Sequence, residues 1–280
     1  MTSRLRIRHE TRVGYPSPAS SSYNEARMSP LTLPTQTVLD SRVTVSPAAS
    51  QWTYWDYWGT QVTVFDLADP HTSLSLTATS LVETAPPSPL PVPLDRAEIA
   101  ARSADSRLTE FLAATARTTV GPELAERARA AAAGLDAHQA ATALTDLVRA
   151  RLDYCRGTTG VHSGAQEAWD QQGGVCQDFA HLSVALLRAV GLPARYVSGY
   201  LHPAPDAAAD GPVAGESHAW VEYWAGAWIG HDPTNGTHPG ESHVIVARGR
   251  EYGDVPPHKG VYRGAPGELP QVRVEFTRLA

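Results

Sequence analysis

At 280 residues, 42% hydrophobic and 19% charged, the chain is long enough for one or two domains with hydrophobic cores of their own and needs no disulfide framework. Its net charge of −6 offers no basic surface to a polynucleotide, which argues against a nucleic-acid partner. The opening Met1-Thr-Ser-Arg-Leu-Arg-Ile-Arg-His-Glu10 lacks the apolar centre of a leader peptide, no later stretch approaches the roughly 18 apolar residues of a membrane span, and only two cysteines are present, Cys155 and Cys176. A cytoplasmic protein without membrane contact is expected.

Residues 1–85 read as a β domain. Leu5, Ile7 and His9 alternate with arginines, Gln36–Val45 is rich in Val, Leu and Thr, Gln61–Leu67 alternates again, and Thr72–Thr84 supplies a further strand. Turn chemistry at Pro16-Ser17-Pro18, Ser46-Pro47, Trp58-Gly59-Thr60 and Asp69-Pro70 separates these runs and predicts an antiparallel sandwich-like layout. The aromatic run from Gln51 to Trp58 is assigned to core and interdomain packing, with an exposed binding face as the alternative. Residues 86–94 form a proline-rich linker suited to an extended connector.

Beyond the linker, residues 95–280 form a second domain. Its first part, 95–152, carries helical segments at about 95–116, 122–133 and 137–152. In its core, 153–280, the strongest pattern is a helix from Cys176 to Val190, with Phe179, Leu182, Leu186, Leu187 and Val190 on one stripe and Gly191-Leu192-Pro193 as its stop. Strands follow at Ala194–Leu201, His218–Trp224, Trp228–Asp232, His243–Ala247 and Gln271–Arg278. The fold class is α+β, with helices preceding an antiparallel sheet.

Chemistry concentrates at three places. Gly173-Gly174-Val175-Cys176 puts a cysteine in the first turn of the apolar helix, after two glycines expected to bend the backbone. The positive end of that helix favours negative charge on the sulfur, and its unpaired N–H groups suit a developing oxyanion. His218, at the start of a strand, is the candidate base. Asp232, closing the next strand before Pro233, is the candidate carboxylate that orients the imidazole. For His218 and Asp232 to share a hairpin face, the turn must hold an odd number of residues, and a three-residue turn at Trp224-Ala225-Gly226 is predicted, or a nearby bulge. Tyr154 is a candidate second oxyanion donor, the alternative being a buried tyrosine with a satisfied hydroxyl. Asp178 either meets polar substrate or supports the first helical turn, the latter preferred. Cys155 is assigned no catalytic role.

Gly-Gly-Val-Cys-Gln-Asp-Phe-Ala-His at 173–181, Gly-Leu-Pro-Ala-Arg-Tyr-Val-Ser-Gly-Tyr at 191–200, Ser-His-Ala-Trp-Val-Glu at 217–222 and Asp-Pro-Thr-Asn at 232–235 resemble, in order, the core motifs of bacterial transglutaminase-like proteins. The segment Ala247-Arg-Gly-Arg-Glu-Tyr-Gly-Asp-Val-Pro-Pro resembles that family's tail, and the N-terminal β region resembles the domain that often precedes its core. The resemblance implies a papain-like fold, with Cys176 as nucleophile, His218 as general base and acid, and Asp232 as orienting carboxylate. It implies cleavage or exchange of an amide bond through a thioester, as protease, amidase or transamidase, on a protein, peptide or small amide. Glu251 stands where Asp is expected, His231 where an aromatic residue is commoner, and Cys155 where a proline-like residue is usual. No cofactor is expected. The pair His238 and His243 lacks the further ligands of a zinc centre, and no acidic loop resembles a calcium site. The rival reading is a protein-binding module that keeps the fold and is catalytically idle.

Overall fold

In a computed structural model, the described residues are 2–87, 89–104, 107–203 and 211–279. The N-terminal region contributes β1 (Ser3–Ala19), β2 (Ser21–Ala26), β3 (Gln36–Ser46), β4 (Gln51–Trp55), β5 (Gln61–Leu67) and β6 (His71–Thr84). There follow α1 (Arg96–Ala104), a 3-10 turn at Arg107–Phe111, α2 (Pro122–Ala131), α3 (Ala137–Arg151), β7 (Asp153–Tyr154), α4 (Ala165–Gln171), β8 (Gly173–Gly174) and α5 (Cys176–Ala189). The remainder is β9 (Ala194–Leu201), β10 (Val213–Trp224), β11 (Trp228–His231), β12 (His243–Gly249), a 3-10 turn at Tyr252–Asp254, β13 (His258–Arg263) and β14 (Gln271–Leu279). No helix among them is long and apolar enough to cross a membrane.

One antiparallel sheet runs through the molecule in the order β12, β9, β10, β14, β1, β6, β3, with β11 also paired to β10. Strands from the N-terminal region therefore continue the sheet of the core, joined through β14. A second antiparallel sheet has the order β13, β2, β5, β4. The alternation in β1 places Leu5, Ile7, His9, Thr11 and Val13 inside. That strand serves two cores: Leu5 and Ile7 join a cluster built on α3, α5, β9 and β10, while Val13, Tyr15 and Ala19 pack with Phe65, Leu67, Leu74 and Met28 in another.

The local chemistry accounts for the helices around α5. Pro122 occupies the first turn of α2, where its missing N–H costs nothing. Asp136 and Gln139 form a reciprocal capping box at the start of α3. Almost every residue of α5 is buried, so this helix is packed on all sides. Across β9, β10 and β12, the buried carboxylate of Glu222 accepts hydrogen bonds from Arg195 and Arg248, tying three neighbouring strands together.

Several expectations are corrected. Pro16-Ser17-Pro18 is not a turn between strands; β1 continues through it, and its register on β6 shifts between Gly14 and Ala19, a bulge that accommodates residues lacking an N–H. The helix expected over 95–116 is α1 followed by a 3-10 turn, and positions 105 and 106 lie outside the described residues. Strands β2, β4 and β13 and helix α4 were not anticipated. The aromatic run is not core: Trp52, Trp55 and Tyr57 are 53%, 64% and 72% exposed, because β4 is an edge strand. Trp58 alone of the three tryptophans packs across, against Phe111, which meets Trp228.

Candidate active site

Cys176 opens α5, and its position is set by the segment before it. Parallel pairing of β7 with β8 aligns Tyr154 with Gly174. The bend expected at the two glycines is corrected: neither has a positive φ, and the left-handed residue of this segment is Gln172, with φ 56°. The glycines are required for closeness. A Cβ on Gly174 would lie 2.5 Å from Asp178 Oδ2. Asp178 is buried and its carboxylate accepts from Val175 N–H at 2.8 Å and Thr159 Oγ1 at 2.6 Å, so it braces the first turn. With Asp178 N–H and Phe179 N–H both bonded to Val175 O, the N–H groups of Cys176 and Gln177 have no backbone partner among the described residues.

His218 stands on β10 and Asp232 just past β11. Their hairpin pairs Val221 with His231 and Trp224 with Trp228, leaving a three-residue turn at Ala225-Gly226-Ala227. This is one residue later than expected, because Gly226, with φ 103°, takes the turn's centre. The parity is preserved, and His218 Nε2 lies 2.7 Å from Asp232 Oδ2. Burial disfavours the charged imidazole, but the hydrogen bond to Asp232 and the nearness of Cys176, with the charges of both, outweigh it and raise His218 to about 9.

Asp232 is fully buried and is held by five contacts. Oδ2 faces His218, His243 Nε2 at 3.1 Å and Asn235 Nδ2 at 2.8 Å. Oδ1 accepts from the N–H groups of Thr234 at 3.0 Å and Asn235 at 3.2 Å. Burial alone would raise its pKa; the hydrogen bonds from His218 and His243 reverse that and hold it far below the usual carboxylate range. His243 Nδ1 accepts from Gly240 N–H, so its proton sits on Nε2 and is donated to Asp232. Trp220 stacks on His218 and meets His243 edge-on.

Sequence reasoning missed His243, Asn235 and Trp220 as parts of this site. Asn235 lies within the Asp-Pro-Thr-Asn motif, a usable signal; His243 stands out in the sequence only for its spacing from His238. The ligand atoms of His218, Asp232 and His243 lie within 4.8 Å of one another, yet both histidines already spend Nε2 on Asp232. A divalent ion could be held there only by breaking both bonds.

A cavity of about 490 Å³ opens beside Cys176 and His218, with Tyr154, Tyr196, Thr11 and Val272 among its walls. Tyr154 is 49% exposed, so it is not the buried tyrosine of the alternative reading; burial and the nearby Cys176 raise its pKa, keeping the hydroxyl a donor. Both cysteines are free. The Cys155 thiol contacts Thr158 Oγ1 at 2.9 Å and does not line the cavity. Glu251 fills the place of the expected aspartate by accepting from Thr115, Arg117 N–H and the Arg117 guanidinium. His231 donates to Thr145 Oγ1, and burial lowers it to about 4.

A cysteine at a helix start with a histidine and a buried aspartate on the adjoining antiparallel sheet fits the transglutaminase-like class. Residues 5–83 match the bacterial transglutaminase-like N-terminal region and residues 123–233 the transglutaminase-like superfamily core. An uncharacterised protein of Mycobacterium leprae is 44% identical over 277 residues, covering 99% of each chain. The chain belongs to the bacterial transglutaminase-like family. A protein-glutamine gamma-glutamyltransferase of Pseudomonas aeruginosa is 33% identical over 109 residues, covering 35% of this chain and 16% of that one. Among solved structures, a proposed cysteine protease from Cytophaga hutchinsonii superposes with a TM-score of 0.80 at 22% identity, covering 100% of this chain and 92% of that chain, a likeness of fold.

Proposed function

We propose that the protein is a cysteine enzyme that opens an amide bond through a thioester on Cys176. The observation that carries this reading is His218, hydrogen-bonded to Asp232 at 2.7 Å and sharing one cavity with Cys176, with its pKa raised to about 9. At neutral pH that imidazole is protonated and sets a positive charge beside the nucleophile. The sulfur attacks the carbonyl carbon, and the N–H groups of Cys176 and Gln177 receive the oxyanion, with Tyr154 as a further donor from the cleft wall. When the C–N bond breaks, the proton on His218 passes to the departing nitrogen. Water or an amine then attacks the thioester, giving its proton to His218 as the sulfur leaves. Water completes a hydrolysis, an amine a transamidation.

Mass spectrometry of the protein incubated with glutaminyl and peptide amides tests this. The expected result is an acyl mass on the peptide containing Cys176, absent from Cys176→Ala. Fast alkylation of Cys176 by iodoacetamide at neutral pH is expected as well; a rate no greater than that of a free thiol, with no adduct from any amide, would return the protein to the idle-module reading.

A further inference from the structure

Strand β10 changes partners along one of its edges. Its pairing with β9 runs unbroken from Glu216 to Tyr223. On the other edge it pairs with β14 through Val213–Gly215 and with β11 through Val221–Trp224. Between those stretches the second edge is open.

Along an antiparallel strand, successive residues direct their N–H and C=O to opposite edges. Trp224 N–H donates to Pro193 O at 2.9 Å, on the β9 side, and the register to β9 has no irregularity. Even-numbered residues of β10 therefore serve β9, and Ser217 and Ala219 turn both of their backbone groups the other way. Those groups have no hydrogen-bond partner among the described residues. They flank His218.

The open edge looks into the cavity beside Cys176. Five consecutive residues of β10, Gly215 to Ala219, line that cavity, whereas β1 and β14 contribute alternate residues: His9 and Thr11, and Val272 and Val274, with Pro270 just before β14. Side chains alternate faces in a strand, so consecutive lining means the cavity runs along the edge of β10, and alternate lining means it lies over the face of β1 and β14. The floor exists because β14 stays with β1 after leaving β10, pairing Val274 with His9 and Val272 with Thr11. At the rim, Arg156 and Glu216 pair with each other, and burial keeps His9 neutral at pH 7, near 4. The trough thus presents an unsatisfied strand edge, a mixed apolar floor and little charge.

Resting on the amide-bond reading above, we propose that the substrate is an extended polypeptide segment that adds as a strand to β10 at Ser217 and Ala219, over Thr11, Val272 and Val274, with its reactive carbonyl at Cys176. Main-chain hydrogen bonds would then carry affinity, and alternate side chains lying on the floor would carry preference. The N-terminal region takes part in substrate binding through β1. A small amide without a peptide backbone leaves Ser217 and Ala219 unserved.

The test separates docking from chemistry by using Cys176→Ala. A pool of end-capped random octapeptides is selected on this variant, and the best binder is resynthesised with each backbone amide N-methylated in turn. At least a tenfold loss of affinity is expected at one or two alternate positions, with little change at their neighbours, and bound peptide should slow amide exchange in the segment holding Ser217 and Ala219. Val272→Arg, at an exposed floor position, should weaken binding by a similar factor while leaving thermal unfolding unchanged. No selectable peptide, or binding indifferent to every N-methylation and to Val272→Arg, overturns the proposal. Acylation of the wild-type protein by the same peptide is scored separately: acylation without strand pairing sinks the docking alone, and strand pairing without acylation sinks the enzyme reading alone.

Discussion

The proton on His218 is held from two sides, and its energetics set a testable pH response. The folded value of about 9 exceeds the ordinary 6.5, so this group stabilises the native state fully below pH 6.5, and that contribution is lost as pH rises through about 9. Thermal unfolding of the wild-type protein should decline across that window, and His218→Gln should lack this part of the decline; parallel curves would remove His218 as its source. Over the same range kcat/KM for an amide should fall as the proton needed by the leaving nitrogen is lost. His243 works one step behind, through Asp232. Replacing it with Leu removes a hydrogen bond to a buried charge, about 1.5–3 kcal/mol or roughly 10- to 100-fold in rate. His243→Gln can still donate from its side-chain amide and should recover much of the loss, which a purely packing role for the ring would not allow. The three principal residues were legible because each sits in a recognisable local pattern: a helix start, a strand start, an Asp-Pro turn. His243 was not, because its approach to Asp232 depends on β9 lying between β10 and β12, an order that no local spacing encodes.

At the level of elements, the segment before α5 acts as a fitted socket. Gly174→Ala drives a methyl to within 2.5 Å of the carboxylate bracing the helix start, and overpacking of this kind costs about 1–3 kcal/mol. Because the displaced element carries Cys176, the alkylation rate should fall together with the unfolding temperature, and a variant that loses stability alone would show the socket to be irrelevant to the sulfur. The strands that were legible, such as β5 and β9, are rich in valine, leucine and aromatic residues that recur along the strand. The missed ones differ: Ser21–Ala26 is largely polar, and Gln51–Trp55 turns all five side chains toward solvent to some degree. The aromatic run was misread for the same reason, since composition resembles core whether or not a strand has a neighbour to cover it. Helix α4 spans seven residues, too few for a helical stripe to register.

Across the whole molecule, the continuous sheet makes the N-terminal region part of the packing of the transglutaminase-like core. Leu5, Ile7 and Val82 lie in the same cluster as α5, and β1 is the neighbour of β14 along nine residue pairs. A fragment beginning at position 86 loses those side chains and exposes the whole paired edge of β14. It should show no cooperative thermal transition, and a well-dispersed amide spectrum from it would refute the dependence. Ile7→Ala in the intact chain removes a buried side chain from the seam and should cost about 2–5 kcal/mol in denaturant unfolding.

The pairing of β1 with β14 also carries a consequence in time. Arg4 meets Leu279 and Arg12 meets Gln271, so contacts that floor the cleft join segments from opposite ends of this sequence, and such distant contacts form slowly. While the polypeptide is being made, Cys176 and His218 emerge well before Gln271–Leu279, and the trough beside them has no floor. The cleft beside the nascent chain's own unfolded segments is thereby left unfinished, and its walls are complete only with closure of the seam.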